Sequence, residues 1–332
     1  MVNENNYAAL NDKKYIEARE KWFSRMESFF EGKADGPFRL NGSGIYLPEN
    51  PSKDINAAID AALARMNPEA LMDNTVFRPL FLQYHFYNTH LVDNIFGAEV
   101  FERDRLWYSK HLNKEVGSLE KPDLEKNEAW VKLKGHIKYF LDKKLALPLI
   151  SIPCISSPLN VAVNLFGEDF LVSMCLETEK AMHDLRLICD IEKEMHLWFI
   201  NNIPAEQLTT VIGQSRTMPR GYGQICGCTS QLISADFYSE MIAPLDAELL
   251  GLYKTGGMIH LCGSHTQHIP EWRKMKELRV VQINDRATED LEKYFYGLRD
   301  DQIIYYRPCE KMPVEKALEI TGGKRLVIME RN

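Results

Sequence analysis

From Ala235 to Met329 helical runs alternate with short apolar ones, and this alternation constrains the fold more than any other feature of the chain. A helix is expected from about Ala235 to Leu252 after Ser234, then a strand Met258–Cys262 and a short helix around Ile269–Met275. A strand Leu278–Asn284 follows, then a helix Thr288–Gly297 with Glu289 and Asp290 in its first turn. The unit repeats as a strand Gln302–Tyr306, a helix Val314–Ile320 closed by Gly322-Gly323, and a strand Arg325–Met329. Strands separated by single helices pair in parallel through right-handed crossovers. With no glycine-rich dinucleotide fingerprint, the pattern favours an α/β fold of the (β/α)8 TIM-barrel type over a doubly wound sheet.

Upstream the signals are helical first. Tyr15–Phe30 and Ile55–Met66 carry apolar residues at helical spacing, and Asp54 has the character of a cap before the second. Residues 1–75 therefore read mainly as a helical extension to one barrel domain spanning 1–332, with no Pro/Gly/Ser-rich linker dividing it. Pro79–Tyr84 is the first expected strand and Leu147–Cys154 the next, followed by a long amphipathic helix Glu177–Asn202. Gly223–Ile233 reads as an irregular segment rich in Gly and Cys.

A formal charge of -7 provides no electrostatic reason to expect nucleic acid or an anionic membrane as partner. The polar start Met1-Val2-Asn3-Glu4-Asn5-Asn6 and the lack of any run near the roughly 20 apolar residues of a membrane span make a cytoplasmic location the expectation. Seven cysteines without an export signal argue against a disulfide framework. Cys154, Cys175 and Cys189 read as buried small hydrophobes, which leaves Cys226, Cys228, Cys262 and Cys309 for chemistry.

In a barrel, chemistry is built at the carboxyl ends of the strands. The strand Gly257-Met258-Ile259-His260-Leu261-Cys262 delivers an imidazole and a thiol two residues apart, on one face, at such an end. That is the spacing of two ligands of a tetrahedral metal, and Gly263 lets the chain turn away behind them. The next strand closes with Asn284, Asp285 and Arg286, and the one after with Arg307, Pro308 and Cys309. Asp285 and Arg307 are candidate catalytic groups, although a structural ion pair between neighbouring strands accounts for them equally well. His265 and His268, three apart just beyond the motif, share a face if helical and are candidates for ligand contact or proton transfer, against the plainer role of hydrogen-bonded bystanders.

Taken in order, Ile95-Phe96-Gly97-Ala98-Glu99-Val100, the stretch from Ser157-Pro158-Leu159-Asn160 to Phe166-Gly167-Glu168-Asp169-Phe170-Leu171, Leu232-Ile233-Ser234-Ala235-Asp236-Phe237, Ile242-Ala243-Pro244 and His260-Leu261-Cys262-Gly263 resemble the uroporphyrinogen decarboxylase superfamily. Within it the chain is most similar to the zinc-dependent methyltransferases that move a methyl group from a corrinoid protein to a thiol of the coenzyme M type. The resemblance implies a TIM barrel, a zinc ion, and a corrinoid carried by a partner protein. It speaks against porphyrinogen decarboxylation itself: the Arg-Gln-Ala-Gly-Arg segment of those enzymes is absent, and Asn88 falls near where their essential aspartate is expected.

The resemblance also implies a third zinc ligand, a cysteine in a Gly-Cys-Gly-like segment after the last strand, and the residues that follow Met329 here are Glu330, Arg331 and Asn332. The expected metal set is accordingly His260, Cys262 and Cys309, with Cys228 or Cys226 as the alternative third ligand and Asp285 as a candidate oxygen ligand. The competing reading is a metal-free, decarboxylase-like lyase in which Arg286 and Arg307 meet the carboxylate of a small substrate and Tyr222 or Tyr306 forms its wall. A non-catalytic module that docks a corrinoid protein is a third. The methyl acceptor is left as a small molecule, and a homodimer stays open.

Overall fold

The computed structural model describes residues 4–41, 45–209 and 216–330. Eight parallel strands form the barrel: β1 (Phe38–Leu40), β2 (Phe81–Gln83), β3 (Leu149–Ser151), β4 (Gly223–Cys226), β5 (Gly257–Cys262), β6 (Leu278–Asn284), β7 (Ile303–Tyr306) and β8 (Leu326–Met329). From β4 to β8 each strand pairs with the next, and β8 pairs with β1 through Val327 and Phe38. β2 pairs with β3, and two parallel bridges, Leu40 to Phe77 and Ser156 to Cys226, join that pair to β1 and β4. The ring is thereby closed, as the sequence pattern requires of strands that bury both faces. Short two-residue strands, Ile45–Tyr46 on β2 and Leu208–Thr209 on β3, fill in the joints.

Two of the departures from the sequence reading fall where local signals were weak. The first strand is Phe38–Leu40, not the one near Pro79, so the first 75 residues contribute a barrel strand as well as helices. Three residues are too few to show a period, and their strand character comes from pairing with β8. Likewise Gly223–Ile233 is not irregular throughout: it is β4 followed by a 3-10 turn, Cys228–Leu232. Gly223 belongs in the strand because its neighbours approach so closely. A Cβ on Gly257 would sit 2.4 Å from the Gly223 carbonyl oxygen, and one on Gly223 2.1 Å from the Tyr253 ring.

The expected helix from Ala235 ends at Leu250 and contains a π-turn over Tyr238–Ile242, just before Pro244. Helices Glu128–Leu141, Pro158–Phe166 and Glu168–Leu176 and an antiparallel hairpin of Val100–Arg103 with Leu106–Ser109 were not anticipated. The amino-terminal mouth of the barrel is shut by helix Lys13–Phe30, capped by Asp12. Its Trp22 stacks on Phe77 at 5.4 Å, and its Phe30 meets Tyr222 edge-on at 5.2 Å. The carboxyl mouth is the end at which barrels of this kind build their chemistry. Among the described residues no single helix is long and apolar enough to cross a membrane.

Candidate metal centre

Register places the site. His260 in β5 is paired with Cys226 in β4 on one side and Gln282 in β6 on the other, so these three side chains share one face and one level of the barrel. Cys262 and its partner Asn284 stand on the same face one step further toward the carboxyl mouth. Beyond β4 the chain turns at Gly227 into the 3-10 segment, which returns Cys228 over the same point. The ligand atoms of Cys226, Cys228 and His260 lie within 4.8 Å of one another and could hold a metal such as zinc. The Cys226 and Cys228 sulfurs are 3.5 Å apart, and Cys262 Sγ is 3.3 Å from His260 Nε2.

The side chains around these atoms orient them. His260 Nδ1 is bonded to Gln282 Oε1, which can only accept, so Nδ1 carries the ring proton and the Nε2 lone pair is turned to the thiols. This outer partner is the device that metal-binding histidines use to fix their tautomer. Amide N–H groups approach two of the sulfurs, Asn160 to Cys226 at 3.7 Å and Asn284 to Cys262 at 3.8 Å. Hydrogen bonds from Cys228, with His260 adding to them against the cost of burial, pull Cys262 down to about 4. Bonds from Cys154 and Cys228 draw Cys226 the same way, whereas Cys228, bonded to both flanking thiols and buried, is pushed up and keeps its proton. Three thiols thus share a proton between two sites poised as thiolates, the form in which cysteine binds a metal.

His265 and His268 do not reach the cluster as ligands; they build it. His265 Nε2 donates to the Cys262 carbonyl at 2.9 Å, and its Nδ1 faces the Ser230 hydroxyl at 3.0 Å. His268 Nε2 donates to the Ser230 carbonyl at 2.8 Å. Both rings are fully buried, and together they staple the loop after β5 to the loop after β4. Gly263, at φ 86°, makes the turn that the motif requires.

The remaining expected residues scatter. Asp285 is at the cluster's edge: its carboxyl is pushed up by partial burial and by the charge and hydrogen bond of Cys262, and its backbone is strained at φ 48°, ψ -125°. Arg307 acts on Asp285 electrostatically, yet both are exposed, as is Arg286. Cys309 sits in the turn past β7, its backbone paired with Met312, and is not in the group of ligand atoms at the mouth. Tyr306 is buried in β7 with its hydroxyl given to the Met312 carbonyl. Tyr222 precedes β4 and packs at the closed amino end, on the far side of the barrel from the strand termini. Of the two candidate walls of a carboxylate pocket, Tyr222 is therefore not at the strand ends where Arg286 and Arg307 lie, and Tyr306, next to Arg307 in sequence, spends its hydroxyl on the Met312 carbonyl.

Sequence reasoning missed Gln282, Asn160 and the part Cys154 plays, and treated Cys226 as secondary. A signal for Gln282 exists: it is a polar residue inside the apolar run Val280-Val281-Gln282-Ile283, and it is fully buried. A lone buried amide in a strand needs a partner, and His260 is that partner.

Neither the known sequence families nor the curated proteins include a match to this chain. Among solved structures, a methyltransferase from Methanosarcina mazei superimposes with a TM-score of 0.64 at 13% identity, over 93% of this chain and 92% of that one. The fold is methyltransferase-like. At so low an identity the likeness is one of architecture, and the chemistry must be argued from the residues.

Proposed function

We propose that this protein is a methyltransferase that moves a methyl group from a corrinoid carried by a partner protein to a thiol activated on zinc. The observation that carries this reading is the convergence of His260, Cys262, Cys228 and Cys226 at the carboxyl mouth of a barrel that shares its fold with a methyltransferase. The donor set fits zinc: thiolate sulfur and a neutral imidazole whose free nitrogen is fixed by Gln282. We assign His260, Cys262 and Cys228 as ligands, with the Cys228 proton displaced as the metal binds and Cys226, its sulfur 3.5 Å from that of Cys228, held beside them by Cys154 and Asn160. Zinc bound there supplies one thing, ionisation and positioning of the acceptor thiol.

The chain's own residues do the rest. Gln282 holds the His260 proton on Nδ1, and the His265 and His268 staples fix the spacing of the two cysteine loops. A methylated corrinoid would supply the methyl group, the new sulfur–carbon bond replacing its bond to the corrinoid with the bonding pair leaving on that donor, while the residues here would hold the acceptor sulfur in line. No proton has to be delivered, which suits a mouth whose two histidines beside the cluster are committed to structural bonds.

The test is metal content by mass spectrometry on protein purified without a metal-affinity tag, followed by methyl transfer from a methylated corrinoid to small thiols. About one zinc per chain is expected, lost in Cys262→Ser and Cys228→Ser and kept in Cys309→Ser. Wild-type protein that takes up no zinc, or that binds it and transfers no methyl group, overturns the reading.

A further inference from the structure

Cys226 is the thiol beside the metal centre that the ligand assignment leaves over. Its sulfur is 3.5 Å from that of Cys228, which belongs to the assigned set. The two residues flank Gly227, where the chain leaves β4 and enters the 3-10 turn. With no side chain at 227 the turn packs directly on Ile259, whose Cδ1 would lie 2.6 Å from a Cβ there. Cys154 completes the group: Cys154, Cys226 and Cys228 pack as a cluster of their own, apart from the main apolar core. All three are free thiols.

The burial of these sulfurs is graded. Cys228 is half-buried and within reach of a small oxidant, whereas Cys226 and Cys154 are buried behind it. The sulfurs of Cys226 and Cys228 have about 1.5 Å to close before they bond. An accessible sulfur with a buried one in contact is the arrangement of an attacked thiol and its resolving partner.

We infer that Cys226 is the resolving partner of Cys228 in a reversible disulfide formed by hydroperoxides, which takes a ligand away from the metal. The Cys228 sulfur attacks the nearer peroxide oxygen, the O–O bond breaks, and the alcohol, or water from hydrogen peroxide, leaves with a proton. The Cys226 sulfur then attacks the Cys228 sulfenic sulfur and displaces the hydroxyl as water. Two thiols are oxidised by two electrons and one peroxide is reduced by two, and the sum is the same whichever sulfur is attacked first. A disulfide sulfur is not the thiolate that a metal needs, so His260 and Cys262 are left as two ligands where zinc takes four. A bridge across a single residue is strained, and strained disulfides are the ones that thiols reduce readily. The loss of metal rests on the methyl-transfer reading and its zinc site; the disulfide does not.

The experiment treats the full chain, zinc-loaded and chelator-treated, with hydrogen peroxide, blocks the remaining thiols with iodoacetamide and maps the tryptic peptides by mass spectrometry. Residues 221–254 form one peptide that carries both thiols, and Cys154 falls in another, 145–180. In both metal states the 221–254 peptide is expected to be unalkylated and lighter by two hydrogen atoms, and dithiothreitol to reverse this. Zinc, read with a chromogenic chelator, is expected to leave in step with the bond and to rebind after reduction. A bond from Cys226 to Cys154 instead, or a lasting sulfenic acid on Cys228 with Cys226 alkylated, overturns the inference in the wild type without any variant having to fold. Cys226→Ser, checked for folding by circular dichroism, is expected to recover little zinc binding after excess peroxide and reduction, because an unresolved Cys228 proceeds to the sulfinic acid. Recovery equal to wild type overturns the resolving role. A chain that forms the 226–228 bond but binds no zinc upholds the disulfide and overturns the methyl-transfer reading.

Discussion

The mouth of this barrel has two halves that the sequence presents as equals and the structure does not. At the ends of β4 and β5, Cys226, Cys228, His260 and Cys262 are drawn together, shielded, and tied from behind by Gln282, His265 and His268. At the ends of β6 and β7, Asp285, Arg286 and Arg307 are exposed, and Cys309 is absorbed into a turn. The difference is one of preorganisation. Charges on the rim are screened by water and contribute little, whereas a buried set of donors already arranged needs no reorganisation to bind.

Removing a ligand from the buried half should give the largest effect. Cys262→Ser is expected to lose stoichiometric zinc and to lower methyl transfer more than about 100-fold, beyond what outer-shell changes do. Full zinc and activity in that variant would erase the contrast between the halves. Next in size is Gln282→Leu, which leaves every ligand in place but frees the His260 ring; metal affinity measured by chelator competition is expected to fall about 10- to 100-fold. An unchanged affinity would mean that the His260 tautomer is set by something else.

The staple is smaller in effect and is read in stability. His265→Phe removes two buried hydrogen bonds and should cost about 1–3 kcal/mol in urea unfolding of the metal-free protein. This half of the mouth also carries a pH signature, because burial holds His265 at about 4 against an ordinary 6.5. The unfolded chain accepts a proton that the folded one refuses, so the residue's stabilisation is complete above about pH 6.5 and is lost as pH falls toward about 4. The stability gap between wild type and His265→Phe should accordingly narrow between pH 7 and pH 5; a gap that widens contradicts the assignment. The smallest change belongs to the exposed half. Arg286→Ala and Arg307→Ala are expected to alter turnover less than about fivefold, the scale of surface charges. A hundredfold loss in either would move the reacting centre to β6 and β7 and reverse the comparison.

The legible parts of the chain share a physical property. β5 and β6, and the helix Thr178–Asn202, were readable because long runs of apolar residues at a fixed period report their own environment. β1 and β4 were not, because three or four residues next to glycines show no period and become strands only by pairing with β8 and β5. At the site, the His260 and Cys262 pair was readable because its two members are neighbours on one strand. Cys228 and Gln282 come from other segments: Gln282 stands out as a polar residue in an apolar run, but nothing local says that it and Cys228 face His260.

The sequence by itself determined the alternation of strands and helices, the barrel that follows from it, and one strand that offers an imidazole and a thiol on a shared face. Tertiary structure alone decided which further residues join them. Register across β4, β5 and β6 set Cys226, His260 and Gln282 at one level, and the turn at Gly227 returned Cys228 over it, while Cys309 was carried into a separate turn. The reason is that side-chain periodicity is a property of one segment, whereas a binding site is a property of the space between segments, which only the closed ring of strands defines.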